Sequence, residues 1–273
     1  DKIGVKIEAH VSSIGNINAQ DIQSCPDDWQ SEDCINLRCK DPIAAKSMAK
    51  YLDTLRGELD SVGSKVELCI SGLPLGLGEP WFDGIEPALA RAMMAIPAAR
   101  GVEFGRGFNA VQMRGSQHND AWSGTVTEPK LKGKSPDGAI AGLASGAPLK
   151  VNIAFKPPSS IARPQLTLNL ESGIEEDLVV KGRHDPVIGP RAVAVVEAMA
   201  TFILTDFIFD EQSFSLWITL AIVWASTAGA VLIILPFIEA RKNIVEIFNK
   251  ANAESDIGLE NSYDLPNNLR LEL

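Results

Sequence analysis

Four stretches of the chain carry the hydrophobic pattern of β-strands. Apolar and polar residues alternate over residues 3–11, 149–155 and 165–170, which is the period of a strand with one buried face. Residues 66–70 form a short, mostly apolar run that is typical of a buried strand. The pattern therefore predicts four strands within the first 170 residues.

Three segments have the spacing of helices. Residues 42–59 carry apolar side chains at helical intervals, and Asp41 before them has the side chain of an N-cap. Residues 85–96 form a second helical segment. Pro190 opens a long apolar run, and proline suits the first helical position because its missing N–H would have no partner there. The order β-α-β-α-β-β-α predicts a mixed α+β layered domain over residues 1–210.

The character of the sequence changes after this domain. Residues 212–238 contain no charged side chain, and residues 214–238 alone would form a helix roughly 37 Å long, enough to cross a bilayer. Arg241 and Lys242 follow, which would place the C-terminal side in the cytoplasm or its equivalent. We expect a transmembrane helix, with a fully buried core helix as the competing interpretation. The remaining residues, 239–273, are predicted to form a short amphipathic helix and a disordered acidic tail.

The net charge of −10 restricts the class of partner. It argues against nucleic acid, because a phosphate backbone requires a basic surface, but it permits a small anionic substrate in a locally basic pocket. The four cysteines lack a Cys-x-x-Cys pair, which favours free thiols of a reducing compartment over a metal set. The first residues show no signal-peptide pattern, and Asp1 in place of an initiator Met indicates a portion of a longer protein or a processed chain.

One short segment combines several chemically active side chains. Residues 181–186 read Lys-Gly-Arg-His-Asp-Pro and place a fixed cation, an imidazole and a carboxylate directly before the helix that Pro190 opens. An arginine beside a helix N-terminus can bind an anion, and the acid and imidazole can move protons. The alternative interpretation is a solvated, salt-bridged turn.

Three further segments contain residues suited to binding. The glycine-rich loop at residues 72–83 lets backbone approach a ligand or another chain closely, although such loops more often only turn the chain. Residues 114–120 are a polar cluster that includes His118, which we interpret as surface rather than catalytic. Residues 156–160, Lys-Pro-Pro-Ser-Ser, follow a predicted strand and could cradle a phosphate, with an ordinary Pro-Ser turn as the alternative.

Together and in this order, these segments resemble the C-terminal half of the chorismate synthase family. The matching motifs are Gly-Leu-Gly-Glu-Pro-x-Phe-Asp, Ile-Pro-Ala-x-x-Gly-Val-Glu-x-Gly-x-Gly-Phe, Gly-Ser-x-His-Asn-Asp, Lys-Pro-x-Ser-Ser-Ile and Gly-Arg-His-Asp-Pro. The resemblance covers about residues 1–210. It implies an α+β fold, part of a layered β-α-β sandwich, followed by one helix of transmembrane length.

The resemblance also implies a function. Chorismate synthases convert 5-enolpyruvylshikimate 3-phosphate to chorismate and phosphate by a 1,4-elimination that requires reduced FMN, and they are homotetramers of the cytoplasm or plastid stroma. Asp185 would lie near the flavin N5 and assist proton transfer, whereas His184 is interpreted as shaping the turn. The residues that would contact FMN are Lys156, Pro157, Pro158, Ser159, Ser160 and Arg183.

The chain also departs from the family pattern. We find no Phe-Gly-Glu-Ser-His-Gly motif, which carries a catalytic histidine in the family's N-terminal half. Asp137 and Ala141 replace glycines of a glycine-rich family segment, and a carboxylate there is unfavourable beside an anionic cofactor. An alternative hypothesis is therefore a non-catalytic, membrane-tethered remnant of the enzyme. A third is a membrane component with a soluble head.

Overall fold

The computed structural model of the protein describes residues 4–125, 129–132, 137–182 and 184–225, with side chains up to Phe209. Its helices are α1 (Glu32–Leu37), α2 (Pro42–Gly57), α3 (Ile85–Met94), α4 (Gly115–His118) and α5 (Gly189–Ala225). Its strands are β1 (Lys6–Ile14), β2 (Ile17–Asn18), β3 (Ser64–Ser71), β4 (Ala99–Phe104), β5 (Trp122–Gly124), β6 (Pro129–Leu131), β7 (Ala139–Ile140), β8 (Leu143–Ala144), β9 (Leu149–Phe155), β10 (Gln165–Leu168) and β11 (Glu175–Leu178). Short 3-10 helices cover Ile22–Ser24, Trp81–Asp83 and Gly107–Gln112.

Five strands form one antiparallel sheet in the order β2-β1-β3-β9-β4. The strands predicted over residues 3–11, 66–70 and 149–155 are confirmed as β1, β3 and β9, which are neighbours in its centre. The strand predicted over residues 165–170 is β10, which pairs with β11 in a separate hairpin. Two further hairpins, β5–β6 and β7–β8, lie within segments for which no strand was predicted.

The helix-side face of the sheet carries Val66, Leu68 and Ile70 of β3 together with Val151 and Ile153 of β9. All five side chains are fully buried. They belong to one cluster with apolar side chains of three helices, namely Met48 and Leu52 of α2, Leu89 and Met93 of α3, and Val196 and Ala200 of α5. Because burial of one such side chain stabilises the fold by about 1.5–3 kcal/mol, this cluster is the main source of stability.

The polar face is the opposite face of the sheet. The strand register sets His10, Glu67 and Asn152 side by side in one row across β1, β3 and β9. Residues 19–41, which we call the covering segment, lie over part of this face. The Lys40 N–H donates to His10 Nδ1 at 3.3 Å, and the Ile22 N–H donates to Glu67 Oε1 at 3.4 Å. His10 and Glu67 are consequently buried, although both can carry a charge.

Helix α2 begins as the sequence predicts. Asp41 Oδ1 accepts hydrogen bonds from the N–H groups of Ile43 (2.9 Å) and Ala44 (3.1 Å), and Pro42 occupies the first helical position. Asp41 Oδ2 also accepts the Gln20 N–H at 3.0 Å. Burial alone would raise the pKa of the Asp41 carboxyl, but these backbone hydrogen bonds outweigh it and lower that pKa.

Helix α5 runs without interruption through the boundary predicted near residue 210. Within the described chain, one helical stretch is long and apolar enough to cross a membrane, and it is Gly189–Phe209. One face of that stretch belongs to the domain core, with Val193, Val196 and Leu204 buried, so its apolar composition is weak evidence for a span. Residues 212–225 of the predicted transmembrane segment are helical, whereas residues 226–238 and the predicted tail 239–273 lie outside the described residues. The span and the domain limits stay predictions.

The four cysteines are free thiols. Burial raises the pKa of Cys39 to about 12 and that of Cys69 to about 11, which makes both poor nucleophiles at neutral pH. In the part of the chain that the structure covers, no group of three or more His, Cys, Asp or Glu side chains is placed to hold a metal ion.

Candidate functional site

The segment 181–186, which the sequence singled out, leads from the β10–β11 hairpin to α5. Two hydrogen bonds anchor its C-terminal end to the chain that enters β3. The Val62 N–H donates to the Pro186 carbonyl at 2.8 Å, and the Gly189 N–H donates to Ser64 Oγ at 3.0 Å. The second bond joins residues 125 positions apart, so tertiary structure fixes this turn. Arg183 lies outside the described residues.

A cavity of about 270 Å³ opens beside this segment, and we call it the Asp185 cavity. It lies between the C-terminal end of α2, residues 161–162, and residues 182 and 184–186. The side chains and backbone that line it belong to Arg56, Leu59, Asp60, Ile161, Ala162, Gly182, His184, Asp185 and Pro186. The structure thus brings the predicted His184 and Asp185 together with Arg56 and Asp60, which sequence reasoning missed.

Asp185 is held by an ion pair. Arg191 Nη1, in the first turn of α5, lies 2.6 Å from Asp185 Oδ2. The Arg191 side chain is 67% exposed, so the pair contributes at most about 1 kcal/mol to stability. Its main effect is geometric, because it fixes the direction of the carboxylate at the cavity wall.

His184 has one ring nitrogen satisfied and one without a partner. Nε2 lies 2.8 Å from the Val180 carbonyl and must carry the proton to bond with it. Nδ1 is therefore an acceptor in the neutral ring. It is buried and has no hydrogen-bond partner among the described residues. A buried acceptor without a donor is rare in native proteins, and it makes His184 a candidate ligand contact as well as a residue that shapes the turn.

Asp60 connects the cavity to the chain that follows β9. Arg163 Nη1 lies 3.2 Å from Asp60 Oδ2, and the Arg163 N–H donates to the Leu59 carbonyl at 3.2 Å. Ser61 Oγ donates to the Pro158 carbonyl at 2.7 Å. These contacts hold the start of the post-β9 segment against the C-terminal end of α2.

The predicted FMN-binding stretch, Lys156 to Ser160, does not itself line the Asp185 cavity. Lys156, Pro157, Ser159 and Ser160 are exposed, and Pro158 is half-buried. The Lys156 N–H already donates to the Ala98 carbonyl at 3.0 Å, so its ammonium group is the donor that remains for a ligand. Ile161 and Ala162, directly after the stretch, line the cavity itself.

The start of α5 has few backbone donors to offer an anion. The N–H groups of Arg191 and Ala192 both donate to the Ile188 carbonyl, at 3.0 and 3.2 Å. Pro190 has no N–H, and Gly189 is bonded to Ser64 as described above. Backbone N–H groups therefore contribute little to the anion site expected at this helix N-terminus, and side chains would have to supply the donors.

The glycine-rich loop packs against another segment of its own chain. The Ile85 N–H donates to the Gly142 carbonyl at 2.9 Å. A Cβ on Gly78 would lie 2.7 Å from the Gly142 carbonyl oxygen, and a Cβ on Gly142 would lie 2.5 Å from the Glu79 carbonyl oxygen. These glycines are therefore required for close backbone packing between residues 76–85 and 138–146. Ala141, in the same contact, has a positive φ of 53°.

Asp137 forms a pair that the sequence did not reveal. His118 Nε2 lies 3.1 Å from Asp137 Oδ2, and the Arg106 N–H donates to Asp137 Oδ1 at 3.0 Å. Burial raises the pKa of Glu86, and the charge of Asp137 raises it further. His118 and the Arg106 N–H of the same chain thus hold the carboxylate of Asp137 in place.

Comparison with known proteins adds to this geometry. The family model described as chorismate synthase matches residues 1–209. A chorismate synthase of Korarchaeum cryptofilum is 42% identical over 220 residues, which cover 78% of this chain and 58% of the relative. One from Aeropyrum pernix is 41% identical over 213 residues, 78% of this chain and 56% of the relative. One from Synechocystis is 41% identical over 211 residues, 77% of this chain and 58% of the relative.

A solved structure extends the likeness to the fold. A crystal structure of chorismate synthase matches with a TM-score of 0.58 at 24% identity, covering 77% of this chain and 58% of that chain. The chain thus spans a little over half the length of the relatives it matches.

Proposed function

The chain belongs to the chorismate synthase family, and from this premise we propose that it supplies the flavin-side wall of a chorismate synthase active site. The family members are lyases. The proposed reaction converts 5-enolpyruvylshikimate 3-phosphate to chorismate and phosphate by a 1,4-elimination with reduced FMN. The observation that carries the proposal is the Asp185 cavity, where an oriented carboxylate and an imidazole acceptor with no donor among the described residues border the same space.

The residues around the cavity fit part of a flavin. Within the described residues His184 Nδ1 is a buried acceptor without a donor, and a ring N–H of a reduced flavin is a suitable one. The cavity volume of about 270 Å³ suits one portion of such a cofactor. The remaining portion is proposed to extend past Ile161 and Ala162 towards Lys156, Ser159 and Ser160, which would offer charged and hydroxyl donors. Arg183 is proposed as a further cofactor contact, and Pro157 and Pro158 as apolar ones.

Asp185 is the proposed proton carrier. Reduced FMN, when bound, would supply the electron density that helps phosphate to leave. Asp185 would hold or accept the proton at its Oδ1, because Oδ2 is engaged by Arg191. His184 would keep its Nε2 proton on the Val180 carbonyl and act by orienting the ligand.

We also propose a homo-oligomer, a tetramer by family resemblance, in the cytoplasm or the plastid stroma. The β10–β11 hairpin supports assembly, since Leu166, Leu168 and Leu170 are exposed on a two-stranded unit of marginal stability by itself. Anchoring to a membrane through residues 212–238 is proposed on their uncharged composition alone. Alkaline carbonate extraction of membranes tests it, and release of the chain into the soluble fraction would rule out a span.

Anaerobic titration of the full chain with reduced FMN tests the proposed function first, followed by an assay for chorismate release. We expect saturable flavin binding, and turnover if the remaining part of the site is present in the preparation. A chain that neither binds flavin nor releases chorismate would overturn the proposal.

The variant Asp185→Asn distinguishes a role of Asp185 in proton transfer from a purely structural role. We expect turnover to fall by about 100-fold or more, as for loss of a general acid–base group, while the flavin dissociation constant changes little. Asp177→Asn on the exposed strand β11 is the matched control and should change neither quantity. Equal losses of turnover and flavin affinity in Asp185→Asn would mean that the carboxylate is only structural.

A further inference from the structure

A second cavity, of about 320 Å³, lies on the polar face of the sheet, away from the Asp185 cavity. The covering segment and the chain after β4 form its sides. The charged and amide side chains that line it belong to Asn18, Asp21, Lys65, Glu67, Arg106, Lys150 and Asn152. Three cationic side chains and two carboxylates therefore surround this space, in a chain whose net charge is −10.

Both carboxylates are already engaged by protein groups. Asp21 pairs with the Lys150 ammonium and accepts the Gln23 N–H at 3.0 Å. Burial alone would raise the pKa of Asp21, but these bonds lower it, which keeps the group ionised and matched to Lys150. Glu67 Oε1 accepts the Ile22 N–H at 3.4 Å, and its Oε2 lies 3.5 Å from Nε2 of His10, which does not line the cavity. Asp21 and Glu67 are thus oriented towards partners other than Lys65.

Lys65 and Asn152 lack such partners. Lys65 is half-buried and forms no ion pair among the residues that the structure describes. The Asn152 amide, next to Glu67 in the cross-strand row, makes no side-chain hydrogen bond within those residues. An ammonium group and an amide without partners, half-buried at one cavity, are donors suited to an anion. Arg106 lines the same space and adds to its positive potential.

We infer that this cavity binds a small oxyanion, a carboxylate or a phosphate group, with Lys65 as its principal contact and Asn152 as an orienting donor. The volume of about 320 Å³ is at the lower end for ligand pockets, so the ligand is a small metabolite or inorganic ion rather than a nucleotide. This inference is independent of the proposed function, because the cavity shares no residue with the Asp185 cavity.

Calorimetric titration of the full chain with inorganic phosphate and with malonate, at constant ionic strength set by chloride, tests the inference. We expect saturable binding of at least one of the two anions, and the tighter one identifies phosphate or carboxylate as the source. Lys65→Met should weaken binding by about tenfold or more, since a charge-assisted contact is lost. Lys46→Met, on the exposed side of α2, makes the same charge change and should leave binding intact.

Nuclear magnetic resonance of the unaltered chain keeps the test decisive even if Lys65→Met does not fold. The side-chain amide signal of Asn152 should shift on titration with the bound anion. Absence of binding, an unmoved Asn152 signal, or equal affinity in a folded Lys65→Met protein would overturn the inference. Flavin binding by Lys65→Met should remain normal, which distinguishes failure here from failure of the proposed function.

Discussion

The two faces of the central sheet are buried by different means. On the helix-side face, Val66, Leu68 and Ile70 pack into apolar side chains of α2, α3 and α5. On the polar face, His10 and Glu67 are buried beneath the covering segment through hydrogen bonds and ion pairs. The same strand, β3, contributes alternate residues to both.

The difference shows that one strand can contribute apolar packing on one face and buried ionisable groups on the other. Apolar packing stabilises in proportion to the area removed from water and is insensitive to pH. A buried polar layer stabilises only while each charged group keeps its partner, so it responds to protonation and to the loss of one member. We therefore expect substitutions on the two faces to differ in size and in pH dependence.

Leu68→Ala should produce the largest loss of stability. Leu68 is fully buried on the helix-side face, and its truncation should lower the free energy of unfolding by about 2–5 kcal/mol through lost burial and a cavity. Cys69→Ala, one residue further on the polar face, is the matched control and should cost less. Urea denaturation measures both. A loss no greater than that of Cys69→Ala would contradict the assignment of the main core to the helix-side face.

Glu67→Ala should cost about 1–3 kcal/mol, because it leaves the Ile22 N–H without its buried acceptor and removes the carboxylate that lies 3.5 Å from His10 Nε2. Glu175→Ala on the exposed strand β11 should change the free energy of unfolding by less than about 0.5 kcal/mol. Thermal and urea unfolding of the two variants give the comparison. Similar values for both would show that the polar face contributes little.

Asp41→Ala should lower stability by about 0.5–2 kcal/mol at neutral pH, since Asp41 caps α2 and also holds Gln20. The folded pKa of Asp41 is lowered, so its contribution is present above the ordinary value of 3.8 and is lost as the pH falls through the folded pKa. The gap between wild type and variant should therefore close in acid. Asp28→Ala, at an exposed position, should show no gap at either pH. A gap that persists in acid would contradict the assigned role of the charge.

Ala141→Gly should have the smallest effect, and it should be stabilising. Ala141 has a positive φ of 53°, a conformation that costs an L-residue about 1–2 kcal/mol. Glycine removes this strain, but its greater conformational freedom in the unfolded state offsets part of the gain. We expect a gain of up to about 1 kcal/mol in the free energy of unfolding. Ala139→Gly, in strand β7, should instead destabilise. A loss in Ala141→Gly would mean that the methyl group packs favourably enough to offset the strain.

Much of the fold could be predicted from local pattern. Alternation identified β1 and β9, a short apolar run identified β3, and Asp41 with Pro42 identified the start of α2, because these signals depend on neighbours in sequence. Helix α1 was not predicted. It has six residues and too little length for an apolar period, although Ser31, which accepts the Cys34 N–H, was a readable N-cap.

The candidate site was predicted only in part. The segment with His184 and Asp185 was found because its residue types are chemically distinctive. Asp60 and Arg163, 103 positions apart, were missed because their ion pair depends on tertiary structure. The roles of Lys156 to Ser160 and of Asp185 towards flavin remain predictions, and so does that of Arg183.

The hydrogen bond from Gly189 to Ser64 has a consequence for the order of folding. It closes a loop of 125 residues, and the entropic cost of closure must be met before the contact stabilises anything. A ribosome adds about 5–20 residues per second, so Ser64 leaves it several seconds before its partner is made. The Asp185 cavity therefore cannot form on the nascent chain until α5 has emerged. Any chain interrupted before residue 189 would expose the part of the apolar side of β3 that α5 covers and would lack the bond that anchors the Asp185 segment.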